Sequence, residues 1–284
     1  MIPYDSEPDE AFKAAAVAMI RAGLGEAELG IVASYTTPFY WVLRYGDGCQ
    51  EFRGGSLFFL DTSRRIFGVT ASHVVEACLE DTKSSAFVQC MIGSNGKVSL
   101  PFMLGDRIID AHHDIDIATL DFSAQEIAYT GRGALRGSYP TWPPPIPQED
   151  RGVLYCGFPG KGRRVLKPAE INFGCVAMAG LASNCRETSL SILIERQNME
   201  QILGDEAMPE DYDFGGISGG PVIAIVQSAT MRSWRPAGVI IQGPNPSGVE
   251  GESIAGLEII KVRPIHFIKE DGFIDVARWE QNFF

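Results

Sequence analysis

Residues 136–150 read RGSYPTWPPPIPQED, and this stretch limits the fold more than any other. Its prolines at 140, 143, 144, 145 and 147 fix φ and remove five backbone donors. Neither a helix nor a central strand passes through such a segment. On either side lie short β-rich runs separated by turn signals. Before it come IVASYT, YWVLR, SLFFL, RIFGVT, AFVQCMI and DIATL; after it come GVLYCG, EINFGCVAMA, TSLSILIE, PVIAIVQ, AGVIIQG and IAGLEIIKV. Each run has strand length, and Gly46-Asp47-Gly48 and Asn95-Gly96 supply turns. Long helices do not alternate with these runs, which disfavours a parallel sheet. The expected fold is all-β, with two six-stranded antiparallel barrels over 31–135 and 151–270 and residues 136–150 as the linker.

Both ends read as helical. Ser6 with Asp9 three residues on resembles a capping box, with Pro8 in the first turn. Phe12, Ala16, Met19 and Gly23 recur at helical spacing, so a helix over 7–23 within an extension of residues 1–30 is expected, ending at Gly23 and Gly25. A short C-terminal helix is expected within 271–284, and the acidic stretch 197–213 reads as a surface loop. The net charge of −12, without a Lys/Arg block, gives no footprint for nucleic acid. No run reaches the roughly 18–20 apolar residues of a membrane span. The start MIPYDSEPDE is acidic where a secretion signal is basic, so a cytoplasmic location is expected. The six cysteines form no CxxC pair, and in a reducing compartment they read as buried free thiols. Nothing in the sequence calls for a metal or another cofactor.

The chemistry centres on FGGISGGPV, residues 214–222. Gly-Ser clusters often mark only turns. Gly216-Ile217-Ser218-Gly219-Gly220 also fits the G-x-S-x-G elbow of the α/β-hydrolases. A serine nucleophile needs a base within hydrogen-bond reach and an acid that orients the base. Four histidines are present. His73, in FGVTASHVVEAC, follows a β-rich run and opens a turn or short helix among small residues. In AHHDIDIATL, Asp116 abuts the apolar run, where a carboxylate can hold an imidazole. Asp114 lies two residues earlier and could share its face. A histidine–aspartate metal site is the alternative, but a ligand motif from a third region is missing. The N–H groups of Gly216 and Ser218 can form an oxyanion hole if the loop is tightly curled. The elbow fails on context, since EDYDFGG precedes the serine and a β-branched run follows it. It also fails on partners, because His266 is the only later histidine and no aspartate lies between it and Ser218.

VTASHVV, DIATL, GFPG at 157–160 and GISGGPV stand in the order His73, Asp116, Ser218. The chain thereby resembles the chymotrypsin/trypsin-like serine proteases, and more closely their bacterial cytoplasmic and HtrA-like branches. PAGVIIQG at 236–243 resembles the strand that pairs with substrate backbone in that family. The resemblance spans residues ~31–270 and implies a two-barrel fold with the site in the cleft between barrels. His73 and Asp116 would come from the first barrel, and Ser218 and the oxyanion donors from the second. It implies a serine endopeptidase with a protein or peptide substrate.

The departures from the family are informative. Zymogens of the trypsin type carry an aspartate before the nucleophile, to pair with a new N-terminal amine; Ile217 stands there and makes no salt bridge. A helix precedes Ile31-Val32, and the basic cleavage site is missing. Activation by N-terminal insertion is therefore not expected, and the oxyanion loop is either preformed or ordered by an activating partner or ligand. Val74 replaces the family's cysteine after the histidine. The family's specificity position falls on Tyr212, flanked by Asp211 and Asp213; either aspartate would favour Lys or Arg, while Tyr212 would favour something smaller. Ile241, Gln242 and Gly243 are candidates for substrate contact, and Gly243 and Gly256 for pocket walls. The alternative to a protease is a latent or partner-gated module of the same fold, binding peptides by strand addition along 239–243.

Overall fold

The computed structural model describes residues 10–93, 99–137, 141–167, 170–202, 208–209, 212–227, 232–244 and 258–282. The N-terminal element is longer than its sequence pattern suggests. Helix α1 (Glu10–Met19) passes through a π-turn (Ile20–Leu24) into α2 (Gly25–Tyr35). Gly23 does not end the helix: its φ of 112° kinks the chain, which then continues. The run IVASYT is helical through Tyr35, not a strand from Ile31. Tertiary contacts override its β-branched texture. Leu29 and Val32 are buried in a core shared with both halves of the molecule, and buried Glu28 pairs with Arg232 at 2.5 Å.

The first half is a curled sheet of eight strands, not a closed six-stranded barrel. They are β1 (Thr36–Arg44), β2 (Gln50–Asp61), β3 (Ile66–Thr70), β4 (Phe87–Ile92), β5 (Leu100–Phe102), β6 (Ile108–His112), β7 (Ile117–Leu120) and β8 (Ala134–Arg136). The order is β5-β4-β1-β2-β3-β7-β6, with β8 added in parallel to β2. Side chains bring the two ends of the sheet together. Phe102 on β5 meets Phe122, just past β7, edge to face at 5.3 Å. End strand β5 has three residues, and among the described residues no ladder joins it to β6.

Two helices complete this half. Helix α3 (Ser72–Asp81) buries Val74, Val75 and Cys78. Helix α4 (Ala124–Thr130) lies outside the β-rich runs yet has clear local signals. Ser123 and Glu126 form a reciprocal capping box, and Gly131 ends the helix at φ 70°.

The second half is a closed barrel of six strands in the order β12-β13-β16-β15-β14-β9. These are β9 (Gly152–Gly157), β12 (Val176–Ser183), β13 (Leu190–Ile194), β14 (Pro221–Gln227), β15 (Arg232–Gln242) and β16 (Glu258–Pro264). The run EINFGCVAMA splits in two. Its first part, β11 (Glu170–Phe173), pairs with β10 (Arg163–Lys167) in a separate hairpin. The C-terminal helix α5 covers Val276–Glu280. The described part of the proline segment forms no helix or strand after Arg136, and it is anchored by Trp142 Nε1, which donates to Ile268 O at 2.8 Å.

The halves share one core: Phe58, Leu60 and Val69 from the sheet pack with Leu154, Ile223 and Val239 from the barrel. Among the described residues no helix is long and apolar enough to cross a membrane.

Candidate active site

His73 is the second residue of α3, directly after β3 delivers the chain to the sheet's end. Its imidazole stays half exposed, since the helix buries Val74, Val75 and Cys78 instead. Asp116 ends the turn between β6 and β7 at φ 58°, in the left-handed region that Asp tolerates better than most residues. That turn aims its carboxylate at His73. The carboxylate accepts from His73 Nδ1 at 2.9 and 3.0 Å and from the His73 backbone N–H at 3.0 Å. An imidazole held this way presents Nε2 outward. Asp114 lies in the turn, not on the strand, and is exposed, so it does not share the role. Arg263 of β16 reaches across and donates to Ile115 O at 2.5 Å and Asp114 O at 3.2 Å, bracing the Asp116 turn from the second half.

Ser218 sits on a tight loop before β14. Its carbonyl accepts from Ser56 N–H at 2.8 Å, which ties the loop to β2. Gly55 lies between Ser218 and the neighbour of His73: a β-carbon built there would be 2.9 Å from Ser218 O and 3.0 Å from a Val74 methyl. Ser218 and α3 thus flank one point. The structure joins His73 to Asp116 by hydrogen bonds; among the described residues, Ser218 Oγ makes none.

The loop's backbone is set by its neighbours. Gly215 O accepts from Gly160 N at 2.7 Å, and Ile217 O from Gly220 N at 3.0 Å. The carbonyl and N–H of a trans peptide point to opposite sides. The Gly216 and Ser218 N–H groups are thereby turned away from Gly160 and Gly220 respectively, and both residues line one cleft. Among the described residues these two N–H groups donate to nothing. Gly216 has φ 103°, a conformation glycine adopts without penalty. Gly219, at φ 87°, is packed so closely that a β-carbon would stand 2.0 Å from Ser56 O.

Two features carry no loud sequence signal. One is Ser56, fully buried, which holds several strands of the site together. Its Oγ donates to Gly216 O at 3.0 Å and accepts from Phe158 N at 2.9 Å, while its carbonyl accepts from Thr70 Oγ1 at 2.7 Å. Ser56→Ala would leave the buried Phe158 N–H and Gly216 C=O without partners. Each such group costs about 1–3 kcal/mol, so urea unfolding should show a loss of that order. The other is Arg196, which donates to Glu258 at 2.5 and 3.0 Å, to Tyr212 O at 2.8 Å and to Pro209 O at 3.0 Å. It locks the segment ahead of the loop to β16.

The cleft holds about 230 Å³ and is lined by Asp213, Phe214, Gly215, Gly216, Ser218, Gln242, Gly243 and Pro244. Of the residues named from the sequence for substrate contact, Asp213, Gln242 and Gly243 line it. Tyr212 does not: its ring packs on Phe214 at 5.2 Å and against the barrel core. Ile241 does not line the cleft either. Asp211 and Gly256 lie outside the described residues. Val239 and Ile240 offer no open edge for strand addition. Val239 pairs with Pro221, Ile240 N donates to Gly220 O at 2.9 Å, and Ile240 O accepts from Gly219 N at 2.7 Å. That leaves 241–243.

Asp213 Oδ1 accepts from Gly215 N at 2.8 Å, so this carboxylate shapes the loop as well as the cleft. A second cavity of about 280 Å³, lined in part by Arg64, Trp142 and His266, contains none of the candidate residues. Among the described residues no group of three or more His, Cys, Asp and Glu side chains is placed to hold a metal ion.

No protein-family model and no curated protein matches the chain. Among solved structures, it is similar to the serine protease domain of the Sesbania mosaic virus polyprotein, with 13% identity, 82% of this chain and 96% of that chain covered, and a TM-score of 0.38.

Proposed function

We propose that the protein is a serine endopeptidase that works through His73, Asp116 and Ser218. One observation carries this reading: Ser218 and Gly216 line one cleft, and among the described residues neither backbone N–H has a protein acceptor. Such a pair suits the oxyanion of a tetrahedral intermediate. In the proposed cycle, Ser218 Oγ attacks a peptide carbonyl and its proton passes to His73 Nε2. Asp116 holds the imidazole in the tautomer that accepts it and stabilises the imidazolium. His73 then protonates the leaving amine, and water repeats the sequence on the acyl-enzyme. Among the described residues that line the cleft Asp213 is the charged one, and it favours a cationic side chain there. The loop's hydrogen bonds support a site formed without N-terminal insertion.

A second reading has one observation in its favour. Ser218 Oγ lacks a hydrogen bond to His73, which suits a gated module waiting for a partner or ligand. A fluorophosphonate probe tests both. Labelling of Ser218 in the purified protein, lost in Ser218→Ala, supports the protease. A folded protein that stays unlabelled until cell extract is added supports the gated module, and no labelling under either condition counts against both.

A further inference from the structure

The six cysteines are free but, against the expectation from the sequence, not all buried: Cys49 and Cys175 are exposed, and Cys175 lies together with Cys156 behind the Ser218 loop. Cys156 on β9 is fully buried, while Cys175, in the short connection from β11 to β12, is exposed. Their sulfurs are 3.0 Å apart. The strand register accounts for this. Cys156 is paired with Ala177 across β9 and β12. Cys175 lies just ahead of β12, two residues before Ala177 and close to the diagonal position that long side chains bridge. A second pair, Cys78 and Cys90, is 3.8 Å apart, with both residues buried. The two pairs differ in access, and also in the state of the thiol. The hydrogen bond from Cys156 lowers the Cys175 thiol below its ordinary range; burial opposes this, and the Arg132 guanidinium adds to it. Burial pushes up the Cys156 thiol, as it does the Cys90 thiol of the second pair, so the contrast between the pairs lies at Cys175.

The Cys156 end of β9 is the backing of the loop. A β-carbon on Gly220 would stand 2.0 Å from Cys156 O, and one on Gly157 would stand 2.8 Å from Ile217 Cα. The next residues supply Phe158 N to Ser56 and Gly160 N to Gly215.

We propose that Cys156 and Cys175 form a redox-modifiable pair, closed to a disulfide by a peroxide, at the root of the strand end that backs the Ser218 loop. The Cys175 thiolate attacks one peroxide oxygen. The O–O bond breaks, water leaves, and Cys175 becomes a sulfenic acid. The Cys156 sulfur then attacks the Cys175 sulfur and loses its proton, and the S–OH bond breaks to release a second water. Two thiols lose two electrons in total, and hydrogen peroxide gains two. Closure shortens the sulfur separation from 3.0 Å to about 2.05 Å, a shift that falls on the residues touching Gly157 and Gly220. The inference does not depend on Ser218 being a nucleophile.

The test treats the purified full chain with hydrogen peroxide, blocks remaining thiols with iodoacetamide, and maps peptides by mass. The expected result is a 156–175 cross-link reversed by dithiothreitol, with Cys175 consumed at least roughly tenfold faster than Cys90. Cys175→Ser, at an exposed position, should remove the cross-link and keep the far-UV circular dichroism spectrum; Cys78→Ala should keep the cross-link. Amide hydrogen exchange across 212–220 should change on oxidation in the wild type and not in Cys175→Ser. A cross-link at 78–90 instead, a Cys175 sulfinic acid without a cross-link, or no oxidation overturns the pair. A 156–175 cross-link that leaves exchange across 212–220 unchanged overturns its link to the loop. Exchange is read whether or not Ser218 reacts with any probe, so a failed protease assignment would not be mistaken for a failed switch.

Discussion

Asp116→Asn should lower kcat by about four orders of magnitude while the protein stays folded. Asp116 sits at φ 58°, where Asn is accommodated as readily as Asp. Its backbone N–H bonds to His112 O and His113 O, and the Arg263 brace engages carbonyls, so none of these contacts depends on the carboxylate. What changes is the face shown to His73. The carboxylate accepts from both the ring Nδ1 and the backbone N–H. An amide offers one oxygen and one NH₂. With its oxygen on the backbone N–H, the NH₂ meets Nδ1 and favours the tautomer with its proton on Nε2, where Ser218 must deliver one. A ten-thousandfold loss corresponds to about 5.5 kcal/mol of barrier. Steady-state kinetics on a peptide ester with a basic residue before the scissile bond will measure it. KM should hold near the wild-type value, and the thermal midpoint should move little. A loss of less than about tenfold in a folded variant would show that Asp116 does not orient the base.

Ile217→Asp should destabilise the protein strongly. Ile217 is 3% exposed and packed in the barrel core with Phe214, Val222 and Ile240. It anchors the loop by burial, where trypsin-type chains use a salt bridge. The side chains it packs with in that core are apolar, and the nearby Arg196, over the Phe214 ring, is already committed to Glu258 and to the Tyr212 and Pro209 carbonyls. An uncompensated buried charge costs about 3–5 kcal/mol, beyond the lost burial of the isoleucine. Urea unfolding of the variant should show a loss of that size. The sign of its pH dependence also follows. Burial raises the folded-state pKa of the new carboxyl above the unfolded value of about 3.9. The ionisation penalty is therefore full above the raised pKa and relieved as pH falls below it. Ile217→Val, losing one methylene, should cost about 0.5–1.5 kcal/mol. An Asp variant as stable as wild type would show that the loop can turn residue 217 out to solvent.

The candidate triad was legible because each member has a local context. His73 follows a strand end and opens a helix, Asp116 abuts an apolar strand, and Ser218 lies among glycines. The missed parts lacked such contexts or were masked by others. Ile31–Tyr35 carries strand-like residues but is helical, because Leu29 and Val32 are buried beside β9 and β12. Tyr212 matches a specificity position by counting back from Ser218, yet Arg196 holds its carbonyl and Phe214 takes its ring. Helix α4 is a different case: Ser123, Glu126 and Gly131 announce it, between runs of β texture.

By itself, the sequence determined the mostly β texture, the break at the prolines, the chain order of His73, Asp116 and Ser218, and the absence of an aspartate at position 217. These rest on short-range rules: side-chain alternation, proline's missing donor, glycine's freedom of φ. Only the tertiary structure decided that the first half is an eight-stranded sheet drawn together by Phe102 and Phe122, while the second half closes as a barrel. It alone decided that Ser56, more than 150 residues before the loop, is bonded to it, that Gly160 turns the Gly215 peptide, and that Cys156 meets Cys175. Each of these depends on two distant segments arriving at hydrogen-bond or van der Waals distance. Neither segment carries a local pattern for it, because the energy of such a contact exists only once both are in place.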